Sequence, residues 1–202
     1  MIAEFGHYAL VLALALALVQ ASVPMVGART NDPVLMAVAG PTAVAQFCFI
    51  AIAFAALTMC YVRSDFSVVN VFENSHSAKP LIYKLSGVWG NHEGSMLLWV
   101  LILSLFGALV ALFGGNLPAR LKANVLAVQS SIAVAFVLFI LVTSNPFLRI
   151  PEPSLEGRDL NPILQDPGLA IHPPLLYLGY VGLSISFSFA IAALIDGRID
   201  AA

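Results

Sequence analysis

The sequence has little charge. Only 10% of its 202 residues are Asp, Glu, Lys or Arg, whereas 60% are hydrophobic, and the mean hydropathy is +0.93. An average soluble domain carries about 25% charged residues. Nine Lys and Arg against eleven Asp and Glu leave a net charge of −2, without the basic surface that nucleic-acid binding needs. These values exclude an ordinary soluble domain, a disordered segment and a nucleic-acid-binding protein, and they indicate an integral membrane protein.

Cysteine is also scarce. Cys48 and Cys60 are the two cysteines, and they fall in one predicted helix about 18 Å apart along its axis. A disulfide requires Cα atoms within about 7 Å, so they cannot bridge each other. The sequence contains no C-x-x-C-H motif, so the chain does not attach a c-type haem to itself. We interpret both cysteines as packing residues.

Five apolar runs predict five membrane-spanning helices, since each is close to the roughly 20 residues that cross about 30 Å of hydrocarbon. The runs cover residues 5–26, 40–62, 95–113, 121–142 and 173–195. A span must satisfy its backbone hydrogen bonds internally, so we predict an all-α, polytopic helical bundle forming a single membrane domain over residues 1–202. The long connectors 63–94 and 145–171 retain aromatic residues, aliphatic residues and prolines, and we predict that both are ordered.

Basic residues indicate the orientation. Four of them lie in the short segments that follow the first, third and fifth spans: Arg29, Arg120, Lys122 and Arg198. Because the positive-inside rule gives most weight to short loops, the N-terminus and both long connectors are predicted on the outer face. No ionisable residue lies in the middle of a predicted span, which argues against a proton pump or antiporter. Gln20 and Gln46 are the most polar central residues, and we predict that they form interhelical hydrogen bonds.

The first outer motif is VWGNHEGSMLLW, residues 88–99. Asn91 and Glu93 are suited to capping the first turn of the third span. One interpretation of the motif is an interfacial tryptophan beside a capped helix start. The other is a shelf on which Trp89 stacks against a flat ligand while His92 donates a hydrogen bond or ligates.

The second outer motif is LNPILQDPGLAIHPPLLYLGYVG, residues 160–182. His172 precedes two prolines, and a residue before proline favours extended backbone, so we predict His172 just outside the fifth helix on a rigid stem. A rigidly held neutral imidazole suits an axial ligand of haem iron. Gln165, Asp166 or a backbone carbonyl are the candidates to hold its other ring nitrogen. The alternative is an interfacial histidine at a helix start.

These two motifs and the string SDFSVVNVFENS, residues 64–75, resemble the N-terminal part of the CcmF family of cytochrome c-type biogenesis proteins. That family belongs with CcmC and CcsA among the haem-handling proteins and has NrfE as a paralogue. The resemblance covers essentially the whole chain. It implies a bacterial inner-membrane protein with a periplasmic functional face, part of a haem lyase that joins haem vinyl groups to the thiols of a C-x-x-C-H in apocytochrome c. It also implies that CcmE delivers the haem and that CcmH and CcmI are partners.

The resemblance implies roles for individual residues. His172 matches the first of two periplasmic histidines that ligate incoming haem, and Trp89, His92 and Glu93 would shape the adjacent surface. The loop residues Arg149 and Arg158 are expected either to be solvated or to meet haem propionates.

Parts of the family pattern are absent from the sequence: the Trp-rich WWD segment, the second periplasmic histidine and the transmembrane histidines that hold haem b. We therefore expect an N-terminal fragment that alone neither holds haem tightly nor catalyses ligation. The rival hypothesis is a non-catalytic membrane scaffold that anchors assembly partners or carries a quinone-like ligand.

Overall fold

A computed structural model describes residues 1–152 and 154–197, so Arg198 lies outside the described residues. In these two ranges the chain forms eight α-helices and one short 3-10 turn at Pro162–Gln165. The helices are α1 Ile2–Thr30, α2 Pro33–Ala37, α3 Ala39–Val62, α4 Val69–Asn74, α5 Leu81–Gly87, α6 His92–Phe113, α7 Ala119–Thr143 and α8 Pro167–Asp196. Within the described part, α1, α2 with α3, α6, α7 and α8 are five segments long and apolar enough to cross a membrane. The predicted all-α fold class is confirmed.

Small residues let α1 approach its neighbours closely. One face of α1 buries Ala3, Gly6, Ala13 and Ala17, spaced three, four or seven residues apart, against α3 and α7. A Cβ atom on Gly6 would lie 2.6 Å from Cζ of Phe147, so glycine is needed at this contact. Because hydrophobic burial does not drive helices together in lipid, close packing of such small residues supplies much of their association.

Polar side chains link the spans. Gln20 on α1 donates from Nε2 to the Leu126 carbonyl on α7 at 3.1 Å, and Gln46 on α3 accepts from the Ser130 hydroxyl at 3.4 Å. The predicted interhelical bonding of both glutamines is therefore confirmed. Gln129, a third glutamine with such bonds, is not among the residues predicted from the sequence.

Gln129 on α7 binds two other helices. Its Nε2 donates to the Leu103 carbonyl on α6 at 3.1 Å and to the Ser184 hydroxyl on α8 at 2.9 Å, and its Oε1 accepts from Ser188 at 2.7 Å. These bonds attach α8 to the bundle. The attachment matters because α8 packs mainly on α6 and α7 and leaves large apolar residues exposed on its other side.

The two long connectors contact each other. Val69 donates its N–H to the Leu148 carbonyl at 2.9 Å, and Arg158 donates its N–H to the Phe72 carbonyl at 2.7 Å. Side chains add an ion pair between Lys79 and Asp159 at 2.5 Å. We call residues 63–91 and 144–166 together the loop layer. It covers one end of the bundle, and α4 and α5 lie within it as short helices.

Candidate functional site

The turn that precedes α6 is built around Asn91. Its Oδ1 accepts a hydrogen bond from the Gly94 N–H at 2.8 Å, and its Nδ2 donates to the Gly87 carbonyl at 2.8 Å. Asn91 therefore caps α6 and ties its start to the end of α5. The predicted capping role of Asn91 is confirmed, and the cap extends α6 back to His92 from the predicted Ser95.

A buried amide, Asn70 on α4, supports this turn. Its Nδ2 donates to Oδ1 of Asn91 at 2.7 Å and to Oε2 of Glu93 at 3.2 Å. Its Oδ1 accepts from the hydroxyl of Tyr61, which is fully buried, at 2.7 Å. Glu93 is thus held in place by a hydrogen-bonded network that begins inside the bundle. Such a network makes the turn rigid, because displacing any member would leave buried polar groups without partners.

Asn70 and Tyr61 were not among the sequence-predicted site residues. The available signal was the position of Asn70, a lone amide within the apolar string Val68–Phe72. A polar side chain that is buried with its apolar neighbours requires a hydrogen-bond partner nearby. No comparable signal marked Tyr61, whose hydroxyl reaches the turn only because α3 ends beside α4.

Trp89 faces the start of α8. Its indole Nε1 donates to the carbonyl oxygen of Ala170 at 2.8 Å. Beside this bond lies a cavity of about 290 Å³ between the turn and α8, with Trp89 and His92 on one side and Ala170, Pro173 and Tyr177 on the other. The structure therefore brings the first motif against the second.

The prediction that His172 lies outside the fifth helix is wrong. α8 begins at Pro167, so His172 falls in its second turn. The helix starts early because Oδ1 of Asp166 accepts from the backbone N–H groups of Gly168 at 2.8 Å and Leu169 at 3.2 Å, a complete N-cap. The extended preference of a residue before proline is a bias, which the cap and the helical turn outweigh here.

The candidate partners of the His172 ring have other hydrogen bonds. Asp166 uses Oδ1 for the cap of α8, and Gln165 donates from Nε2 to the Leu160 carbonyl at 3.1 Å. Both bonds stabilise the approach to α8. Neither involves the imidazole.

The four histidines differ in what their rings contact. Three have a bonded ring nitrogen: His7 with Asn145 at 3.1 Å, His76 with the N–H of Ala78 at 3.2 Å, and His92 with Ser144 at 3.1 Å. His172 is exposed, and within residues 1–152 and 154–197 its ring enters no hydrogen bond. Its imidazole is therefore open to a ligand from outside the described residues.

The two loop arginines have intramolecular partners. Arg149 binds Glu4 at 2.7 Å and Asp65 at 3.2 Å. Partial burial opposes ionisation of Asp65, but hydrogen bonds from Ser67 and the charge of Arg149 outweigh it and lower the pKa of that carboxyl. Arg158 lies over the ring of Phe72, 5.2 Å from its centroid. Arg149 therefore joins α1 to the loop layer, which leaves it poorly placed to bind an external carboxylate.

Comparison with known proteins identifies the family. The model of the cytochrome C assembly protein family matches residues 89–199, more than half of the chain and the part that starts at Trp89. The chain belongs to the cytochrome C assembly protein family. The predicted resemblance to CcmF is confirmed, and the family together with the five apolar segments makes this a multi-pass membrane protein.

Individual relatives agree with this assignment. The chain is 72% identical over 202 residues to cytochrome c-type biogenesis protein CycK of Bradyrhizobium diazoefficiens and 47% identical over 201 residues to CcmF of Escherichia coli, covering 100% and 99% of the chain. It is also 47% identical over 176 residues, 87% of the chain, to the probable cytochrome c-type biogenesis protein NrfE of Escherichia coli. The chain spans 31%, 31% and 32% of these relatives, respectively.

A solved structure has the same fold. The structure called cytochrome c heme lyase CcmF superposes on the chain with a TM-score of 0.84 at 28% identity. The match covers 98% of the chain and 31% of the other protein. The bundle and its loop layer therefore correspond to about a third of that protein.

Proposed function

We propose that the chain forms part of a cytochrome c haem lyase and that His172 is an axial ligand of the haem substrate. The similarity to CcmF proteins and to a structure called a heme lyase supports the assignment of activity. The ligand role of His172 depends on one observation, the accessibility of its imidazole. Of the four histidines, it is the exposed one whose ring has no hydrogen bond within the described residues.

The geometry suits binding of haem at a surface. A cavity for a drug-sized ligand holds about 300–1,000 Å³, so the space of about 290 Å³ beside Trp89 is too small to enclose a porphyrin. We infer that haem lies against the exposed side of α8, with its iron at His172. Trp89 and His92 line the cavity on the Ala170, Pro173 and Tyr177 side of α8, so they would support the helix from behind, with Glu93 beside them in the α6 turn. Further protein surface would cover the other haem face.

The reaction requires mainly that the haem vinyl groups and the cysteine thiols be held in the correct relative position. Each haem vinyl group adds a cysteine thiol of apocytochrome c, forming a carbon–sulfur bond while the thiol proton ends on the neighbouring vinyl carbon. Holding the iron at a fixed imidazole orients both vinyl groups relative to the C-x-x-C-H cysteines, and such orientation lowers the entropic part of the barrier. In this proposal the chain supplies the ligand and its rigid support.

The proposal places the loop layer in the periplasm, with the protein in the bacterial inner membrane. The distribution of basic residues supports this orientation. Haem would arrive from CcmE, and CcmH with CcmI would present the apocytochrome. These partners would meet the protein at the loop layer and the start of α8, the face on which His172 is exposed.

Haem capture tests the proposal. The complete protein, as wild type and as His172→Ala, is purified with haem-loaded CcmE, and the absorption spectrum of the complex is recorded. We expect His172→Ala to bind CcmE but to show a reduced or shifted haem band, which added imidazole restores by replacing the missing ligand. His76→Ala, at another outer histidine, is the matched control and should leave the band unchanged. An unchanged band in His172→Ala contradicts the proposal.

A second candidate function rests on a different cavity. An apolar space of about 410 Å³ lies between α6 and α8 near their other ends, lined by residues that include Phe106, Phe113, Ile185 and Phe189. Its size and lining suit a quinone-like or lipid tail. In a scaffold that carries such a ligand, His172→Ala would leave haem capture intact, whereas Phe106→Trp would block ligand binding.

A further inference from the structure

We infer that Trp89 is a positioning residue for His172, because its indole replaces a hydrogen-bond donor that Pro174 removes from α8. This inference rests on the proposed function, in which His172 ligates haem. It gives the tryptophan of the first motif a defined role, since its N–H holds the first turns of the helix that carries the histidine.

The two prolines create the need for an outside donor. In an α-helix the carbonyl of each residue accepts from the N–H four residues later. Pro173 and Pro174 lie inside α8 and have no N–H, so the carbonyls of Leu169 and Ala170 lose their helical partners. The helix start is therefore weakened at the two turns that surround His172.

The two carbonyls differ in their surroundings. Leu169 is 40% exposed, so water or lipid headgroups reach this residue. Ala170 is 4% exposed and cannot rely on solvent. A buried carbonyl without a donor is energetically unfavourable, and nearly all buried backbone carbonyls in folded proteins accept a hydrogen bond.

The indole supplies the donor at Ala170. Its Nε1 lies 2.8 Å from the carbonyl oxygen, the distance of a good N–H···O bond. Trp89 is itself fixed, because it lies inside the Gly87–Asn91 segment, which Asn91 closes by donating to the Gly87 carbonyl and by capping α6. The bond therefore fastens the start of α8 to the rigid network around Asn70 and Asn91. His172, two residues after Ala170, takes its direction from this attachment.

Removing the donor and restoring it elsewhere provides the test. Trp89→Phe keeps an aromatic ring but lacks the N–H. Pro174→Ala returns a backbone N–H at the position that bonds the Ala170 carbonyl within the helix. Trp99→Phe is the matched control, since the other tryptophan of the chain packs on Phe136 in the bundle, 4.0 Å between ring centroids.

Two readouts are needed on the complete protein in detergent. Hydrogen–deuterium exchange of the amides in residues 167–178 reports the order of the helix start without haem. We expect Trp89→Phe to raise exchange there by about tenfold to a hundredfold, the range that corresponds to an unpaired buried carbonyl. The haem band with haem-loaded CcmE should weaken in the same variant. Trp89→Phe with Pro174→Ala should return both readouts to the wild-type range, and Trp99→Phe should change neither.

The outcomes separate the inference from the proposed function. Unchanged exchange in Trp89→Phe, or raised exchange that Pro174→Ala does not reverse, overturns the role of the indole bond. Raised exchange with a normal haem band, while His172→Ala loses haem, overturns positioning by Trp89 and leaves the role of His172 standing. A normal band in His172→Ala refutes the proposed function, and with it the positioning role, whatever exchange shows.

Discussion

Replacement of Gly94 by alanine places a methyl group on a backbone carbonyl. The added Cβ would overlap the carbonyl oxygen of Val88, an atom that no side-chain rotation can move aside. Gly94 is buried in the first turn of α6, and its N–H donates to the capping amide of Asn91. The substitution must therefore shift the Val88–Asn91 segment, which includes Trp89.

The magnitude follows from what the shift disrupts. Loss of an N-cap bond costs about 1 kcal/mol, and forcing an extra carbon into a packed site costs about 1–3 kcal/mol. We expect Gly94→Ala to lower the free energy of unfolding by about 2–4 kcal/mol. Gly107→Ala is the matched control in the same helix, because its Cβ would meet Gln129 Cγ at 3.7 Å, an ordinary contact. There, alanine should be neutral or stabilising by up to about 1 kcal/mol.

A thiol-labelling melt measures the difference. Cys60 is 1% exposed but Cys48 is exposed, so in a Cys48→Ser background a maleimide dye labels Cys60 only when the bundle opens. By the usual size scaling, a loss of 2–4 kcal/mol shifts the midpoint down by about 5–15 °C. Equal midpoints for Gly94→Ala and Gly107→Ala would refute the reasoning, since they would mean that the Val88 carbonyl moves freely.

Two further changes probe α8 and the loop layer. Gln129→Leu leaves the Ser188 hydroxyl and the Leu103 carbonyl without their partner and should lower stability by about 1–3 kcal/mol in the same melt, whereas a rise in midpoint would contradict a stabilising role of these bonds. Hydrogen bonds from Ser77 lower the pKa of Glu156 from 4.5 to about 2, so its contribution to the loop layer is complete above pH 4.5 and is lost as the pH falls towards 2. An NMR titration of Glu156 should show a higher pKa in Ser77→Ala, and identical values in both proteins would disprove this coupling.

The helical bundle could be predicted from the sequence, because each span is marked by its own run of apolar residues. A run of about 20 apolar residues predicts a helix wherever it packs. The helix starts were less predictable. The apolar runs predict that Ser95 opens the third span and Pro173 the fifth, but α6 begins at His92 and α8 at Pro167. In both cases an Asx cap, Asn91 or Asp166, starts the helix several residues before the predicted span, within the preceding connector.

The contacts between the motifs could not be predicted in the same way. Asn70, Asn91 and Glu93 are joined by hydrogen bonds between α4 and the start of α6, which depend on how the loop layer folds over the bundle. The role of Gln129 was equally hidden, because it depends on three helices meeting at one depth. A linear pattern shows that a polar residue is buried, but its partner is known only after the helices are packed.

The Trp89–Ala170 hydrogen bond joins the first motif to the second. A histidine followed by two prolines is expected to be rigid because proline restricts the backbone. In the structure the same prolines also weaken the helix, because they remove two backbone hydrogen bonds from it. A donor from another element then becomes necessary at the buried carbonyl, and the indole of Trp89 is that donor. The two motifs, about eighty residues apart in sequence, therefore act as one unit: the first motif stabilises the helix start that presents His172.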